Sequence, residues 1–224
     1  MGQDVTLTAA DKFELGAYRT TPTGTPKGAV VVIQEIFGVN HHIRAVCDRF
    51  AVQGYVAVAP AIFDRVERNF TSGYSPEEVA IARKFVASPD WAAFMRDTQA
   101  AIDSVKDVGP VGIIGFCLGG SVAYAAATKL TGLSAAIGYY GSAIVRFADD
   151  KPTVPTQLHF GELDHGIPLS DVETIRAKRP DVEIFVYPGA QHGFGCDERA
   201  SYDKPSAELA KQRSLAFFAK HLVK

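Results

Sequence analysis

The run Gly115-Phe116-Cys117-Leu118-Gly119-Gly120 sets a cysteine among glycines, directly after the apolar stretch Val111–Ile114 and before the alanine-rich stretch Val122–Leu130. A strand that turns sharply into a helix around a single nucleophile needs this layout. The nucleophile occupies a strained position at the tip, and neighbours without a Cβ let strand and helix pass closely. The same turn puts the Cys117 thiol at a helix N-terminus, whose dipole favours negative charge. It also offers the Leu118 amide as an oxyanion donor. The competing reading is a buried structural cysteine beside a glycine-rich packing turn.

Acyl transfer by a thiol needs a base and a group that orients the base. On strand–nucleophile–helix scaffolds the chain order is nucleophile, acid, histidine. After Cys117, the run Gln157–Phe160 leads into Gly161-Glu162-Leu163-Asp164-His165, and Glu183–Tyr187 leads into Pro188-Gly189-Ala190-Gln191-His192-Gly193-Phe194. Asp164 and His192 each fall just past a strand-like run, where open α/β sheets carry their sites. Asp164 would orient the imidazole of His192, which moves the proton at sulfur. Their competing readings are a cap for the helix opening near Pro168 and a hydrogen-bonded loop histidine. Of the other histidines only His165 competes by position. His41 and His42 fit solvent or capping roles, His159 lies inside a strand pattern, and His221 lies in the last helix.

A further acid, Glu35, ends the apolar run Ala29–Ile33 within Gln34-Glu35-Ile36-Phe37-Gly38. A glutamate bracketed by apolar residues must be paired or held protonated. Its competing reading is a rim carboxylate that meets a nearby amide.

The elements that position these groups follow from hydrophobic period. Val5–Leu7 and Phe13–Tyr18 predict an opening antiparallel pair. The runs Ala29–Ile33, Tyr55–Ala59, Val111–Ile114, Ala135–Tyr139, Gln157–Phe160 and Glu183–Tyr187 predict strands buried on both faces of a parallel sheet. Helices are predicted over His42–Gln53, from Ser75-Pro76-Glu77-Glu78, from Asp90, over Val122–Leu130 and over about Ser206–Leu222. Strand and helix alternation gives an α/β class, a doubly wound, mostly parallel sheet with helices on both faces. At 224 residues the chain is read as a single domain, 1–224.

A net charge of −2 leaves no basic footprint for nucleic acid or an anionic membrane. No apolar run approaches the roughly 20 residues needed to span a bilayer, and the N-terminus lacks the basic-then-apolar layout of a secretory signal. Gly2 with Thr6 fits a loose myristoylation pattern, and Asn69-Phe70-Thr71 a glycosylation sequon; both read as chance matches. Cys47, Cys117 and Cys196 are odd in number and widely spaced. That argues against a disulfide framework or thiolate metal cluster and suits a reducing, cytoplasmic setting. No HxH or HExxH spacing occurs, so neither metal nor other cofactor is expected. A monomer acting on a small molecule is the expectation.

Taken together, Gln34-Glu35-Ile36-Phe37-Gly38, Gly115-Phe116-Cys117-Leu118-Gly119-Gly120, Gly161-Glu162-Leu163-Asp164 and Gln191-His192-Gly193-Phe194 resemble the dienelactone hydrolase family, in the family's order and across nearly the whole chain. The resemblance implies an α/β-hydrolase fold and a carboxymethylenebutenolidase-like enzyme that opens lactones or small esters through a thioester. It implies Cys117, Asp164 and His192 as triad, with Glu35 holding the resting thiol and taking its proton when substrate arrives. The Ile36 and Leu118 amides would be the oxyanion donors. Arg65, in Pro60-Ala61-Ile62-Phe63-Asp64-Arg65, matches the first of two arginines that hold a substrate carboxylate, with Arg68 the alternative if the register slips. The second arginine should follow the histidine by four residues, where this chain has Cys196; Arg199 lies nearby at an unmatched spacing. Phe37, Phe63, Tyr140 and Phe194, beside strand ends, are candidate pocket-lining residues, with core packing the competing reading, while Trp91 reads as packing. Two other functions compete: a broad carboxylesterase or thioesterase with Arg65 idle, and a non-catalytic ligand-binding or thiol-sensing protein on the same fold.

Overall fold

Side-chain alternation along the apolar runs sorts them into two cores on opposite faces of one sheet. The computed structural model describes residues 2–222. β1 (Gln3–Thr8) and β2 (Glu14–Thr20) pair antiparallel, as predicted. They are followed by β3 (Ala29–Ile33), β4 (Val56–Pro60), β5 (Val111–Phe116), β6 (Ala135–Tyr139), β7 (Thr156–Gly161) and β8 (Glu183–Tyr187). The strand order is β1-β2-β4-β3-β5-β6-β7-β8. Pairing is parallel from β4 through β8, while β2 joins β4 antiparallel.

Among the described residues six α-helices flank the sheet: α1 (His41–Val52), α2 (Pro76–Lys84), α3 (Trp91–Asp103), α4 (Leu118–Lys129), α5 (Leu169–Lys178) and α6 (Lys204–His221). Ile43, Val46 and Phe50 of α1 and Phe217 and Phe218 of α6 pack in one core with Val30, Val32 and Ile114. On the other face, Phe94 and Ile102 of α3 and Val122 and Ala126 of α4 share a core with Val31, Ile33 and Ile113. The helix starts have local causes. Ser75 and Glu78 form a reciprocal capping box on α2. The Asp90 carboxylate accepts from the Ala93 amide at 2.9 Å to open α3. No helix among the described residues is long and apolar enough to cross a membrane.

One boundary differs in an informative way. α4 begins at Leu118, not at Val122, so Gly119 and Gly120 are helical despite their poor propensity. A Cβ on Gly119 would overlap the Ile33 carbonyl, and one on Gly120 the Tyr139 carbonyl. Close seating of the helix on β3 and β6 therefore decides these residues, and the glycines extend the helix up to Cys117.

His159 lies inside β7, fully buried, as its strand pattern predicts. Its Nδ1 meets Tyr187 Oη at 2.8 Å, and its Nε2 meets Gln157 Oε1 at 2.9 Å and Ser214 Oγ at 3.2 Å. Burial, aided by the Arg213 charge, pushes its pKa down to about 3. The unfolded chain takes up a proton here below about pH 6.5, whereas the folded chain refuses it until far lower. Stability is therefore lost progressively as pH falls from the unfolded value toward the folded one. Between about pH 7 and pH 4.5, wild type should lose about 2–3 kcal/mol more than His159→Gln, measured by urea unfolding. Parallel losses in the two proteins would refute the assignment.

Candidate active site

β5 ends at Phe116, and the chain turns into α4 through Cys117 with φ 55° and ψ −115°. A non-glycine residue at positive φ is strained, and here the turn is held by the Cys117 amide donating to the Tyr139 carbonyl at 3.0 Å. The thiol is partly exposed to a cavity of about 810 Å³, which is also lined by Ile36, Phe37, Leu118, Asp164, His192 and Arg199.

The loops after β7 and β8 deliver the acid and the histidine together. The Leu163 amide donates to the Ala190 carbonyl at 2.8 Å, tying one loop to the other. Asp164 is buried; its Oδ1 accepts from the Gly166 amide at 2.9 Å, and its Oδ2 meets His192 Nδ1 at 2.7 Å. It does not cap α5, whose N-cap is Pro168. His192 is further fixed by Ser201 Oγ donating to its carbonyl at 2.7 Å, and it shares the cavity with Cys117. Burial opposes a charged imidazole there, but the neighbouring Cys117 and the hydrogen bond to Asp164 prevail and raise the His192 pKa to about 10. The structure thus brings Cys117 together with the hydrogen-bonded pair of His192 and Asp164 on one cavity. His165 stays exposed on the cavity wall.

Ile36 and Leu118 follow β3 and Cys117 respectively and both line the cavity. Among the described residues, neither amide donates a hydrogen bond to a protein acceptor. Two free N–H groups beside a thiol can receive an oxyanion.

Glu35 is fully buried and paired, but its partners differ from those the resemblance implied. Arg199 Nη1 donates to its Oε1 at 2.9 Å and Tyr74 Oη donates to its Oε2 at 3.2 Å, in place of a bond to the resting thiol. Arg199 follows His192 by seven residues; the turns Cys196 N to Gly193 O (3.0 Å) and Arg199 N to Cys196 O (3.2 Å) bend the loop back and return a guanidinium to the site. Tyr74 is a residue that sequence reasoning missed. It lies outside any element, and only its contacts with Glu35, Asn40, Cys196 and Phe37 reveal it.

Arg65 is not at the site. Its Nε and Nη2 grip Asp97 of α3 at 2.9 and 2.7 Å, and Nη1 and Nη2 bind Asp11 at 2.9 Å. Arg68 likewise stacks over Phe13, at 5.2 Å from the ring centroid. The reason is Asp97, a fully buried carboxylate that burial pushes toward its neutral form unless a cation faces it. Arg65→Ala should therefore lower stability by about 3 kcal/mol. It should change kcat/KM per folded molecule less than about threefold on anionic and neutral esters alike. A selective loss on anionic esters would restore Arg65 to the substrate site.

Phe37 lines the cavity, but Tyr140 and Phe194 do not. Both are fully buried; Tyr140 backs the His192 ring at 5.1 Å between centroids and packs edge-on against Phe194. Their side chains turn into the core and brace the histidine loop. Trp91 packs on Phe94 and Phe147 as expected, with part of its surface in the cavity wall.

Comparison with known proteins bears on what such a site does. Residues 15–222 match the model of the dienelactone hydrolase family. A Synechocystis protein provisionally named carboxymethylenebutenolidase is 40% identical over 94% of this chain and 93% of its own. A Yersinia pestis protein with the same provisional name is 34% identical, over 93% and 84%. A Klebsiella pneumoniae crystal structure, provisionally named a dienelactone hydrolase, superposes with a TM-score of 0.82 at 31% identity over 98% of both chains. Fold, site and relatives agree: the chain has the α/β-hydrolase fold, acts as a hydrolase on ester bonds, and belongs to the dienelactone hydrolase family.

Proposed function

We propose that this enzyme opens small lactones or activated esters through a thioester on Cys117. The observation that carries the reading is the hydrogen-bonded pair of His192 and buried Asp164 on the cavity that holds Cys117, with the free Ile36 and Leu118 amides lining the same cavity. An anionic group of the substrate competes for Arg199, and Glu35, released from that pair, takes the thiol proton. Sulfur attacks the carbonyl carbon, and the oxyanion is held by the Ile36 and Leu118 amides. As the C–O bond breaks, the His192 imidazolium gives its proton to the leaving oxygen. Neutral His192 then takes a proton from water, which attacks the thioester; thiolate leaves, and Glu35 returns its proton to sulfur. A thiolate favours good leaving groups such as the enolate of an enol lactone, so peptides are not substrates.

Reduced protein with cis- and trans-dienelactone and with p-nitrophenyl acetate tests this. Rapid loss of the anionic lactone, with KM raised at least about tenfold by Arg199→Ala while the neutral ester is little affected, supports a carboxylate-directed lactonase. The commitment of Arg65 to Asp97 favours a second reading, a broad carboxylesterase or thioesterase. Turnover of the neutral ester alone would select it.

A further inference from the structure

Beside the proposed triad stands a buried cluster of different chemistry. A carboxylate oxygen of Glu35, a ring nitrogen of His42 and Sγ of Cys196 all lie within 4.8 Å of one another, and all three residues are buried. They come from the end of β3, the start of α1 and the histidine loop, so no sequence spacing announces them. His42 is 1% exposed. Its Nδ1 meets Asp197 Oδ1 at 3.3 Å, and its Nε2 is buried with no hydrogen-bond partner among the described residues. With Nδ1 turned to Asp197, Nε2 is the nitrogen left to face Glu35 and Cys196. A buried ring nitrogen without a partner is costly and calls for an explanation.

We propose that Glu35, His42 and Cys196 form a zinc-binding site. Nitrogen, oxygen and thiolate sulfur are the donor set that a borderline-soft divalent ion takes, with the fourth tetrahedral position left to water. A carboxylate on the second nitrogen of a ligating histidine fixes its tautomer and strengthens it, and Asp197 stands there. On binding, the S–H bond of Cys196 breaks, its proton leaves to solvent, and the sulfur lone pair forms the Zn–S bond, with no change of oxidation state. Thiolate and carboxylate together balance the two positive charges, so the nearby Arg199 faces a neutral centre. Zinc would also hold Glu35 away from the Cys117 thiol and so inhibit hydrolysis. This consequence rests on the proposed role of Glu35, whereas the site itself does not.

The test uses reduced, full-length Cys117→Ala protein, because the catalytic cysteine and histidine are themselves able to bind zinc. Titration with Zn²⁺ against a chromogenic chelator should find one equivalent, and Co²⁺ should give a thiolate-to-cobalt charge-transfer band. Adding Cys196→Ala should abolish the band and weaken zinc binding at least about a hundredfold; adding His42→Gln should weaken it at least about tenfold. Zinc binding by wild type that vanishes in Cys117→Ala overturns the site, as does binding indifferent to Cys196, or a cobalt complex without the band. The cobalt spectrum needs no substitution at the cluster, so misfolding of a variant cannot protect the idea. Inhibition is read separately, as a zinc sensitivity of wild-type turnover that Cys196→Ala removes. Binding without inhibition would keep the site and take Glu35 out of the mechanism.

Discussion

Cys117→Ala should lower turnover of a lactone or p-nitrophenyl ester by on the order of 10⁵-fold or more, leaving stability nearly unchanged. The size follows from the position. In the proposed mechanism the Cys117 thiol makes the attack, and His192 has nothing to activate without it. The Ile36 and Leu118 amides remain and account for whatever rate persists over water. Alanine removes one sulfur atom from a partly exposed site and adds no bulk, so the fold stays. Quenched wild-type reactions should show the acyl mass on a peptide containing Cys117, and the variant should show none. Turnover that survives the substitution within tenfold would end the thioester mechanism, whatever the fate of the family assignment.

The second large effect belongs to Asp164→Asn. The carboxylate accepts from His192 Nδ1 at 2.7 Å, which leaves Nε2 to serve the sulfur and the leaving group. An asparagine amide can present a donor to Nδ1 instead, and the proton then moves to the wrong nitrogen. The loss expected is about 10⁴-fold in kcat, with KM little altered. Asp164 also helps to raise the His192 pKa, and losing that support lets the imidazolium deprotonate at lower pH. The alkaline limb of kcat/KM against pH should accordingly move toward neutrality in the variant. A drop of less than tenfold with an unmoved limb would mean that another group orients the histidine.

Much of this arrangement was legible because catalytic groups on open α/β sheets sit where apolar runs stop. β3, β6 and β8 end at the residues their hydrophobic runs predict, and Glu35, Tyr140 and the His192 loop follow directly. The elbow was readable for a different reason: its crowding admits only glycine at 115, 119 and 120, so the geometry is written as composition. Arg65 was misread because the deciding partner, Asp97, is a helix residue whose burial no local pattern reveals. Arg199 and Tyr74 act from irregular segments whose path is set by turns and long-range contacts, not by period. The aromatic pair Tyr140 and Phe194 shows the same limit on a smaller scale. Proximity to a strand end fixes the neighbourhood of a ring, whereas packing against His192 and Tyr187 fixes the side it faces.

Helix α2 stands apart from the elements that carry the chemistry. Its capping box satisfies its own N-terminus, and Ala82 is its one fully buried residue, yet Val79 and Arg83 form part of the cavity rim. Cys117, by contrast, is seated between β5 and α4, two elements made largely of buried residues. Entrance and reaction centre are therefore mechanically and energetically separable. Exchanging Val79 or Arg83 can change which molecules enter without disturbing the sheet, the elbow or the histidine loop. A lineage with this layout can explore new substrates one rim residue at a time, while the costly, strained part of the enzyme is inherited intact.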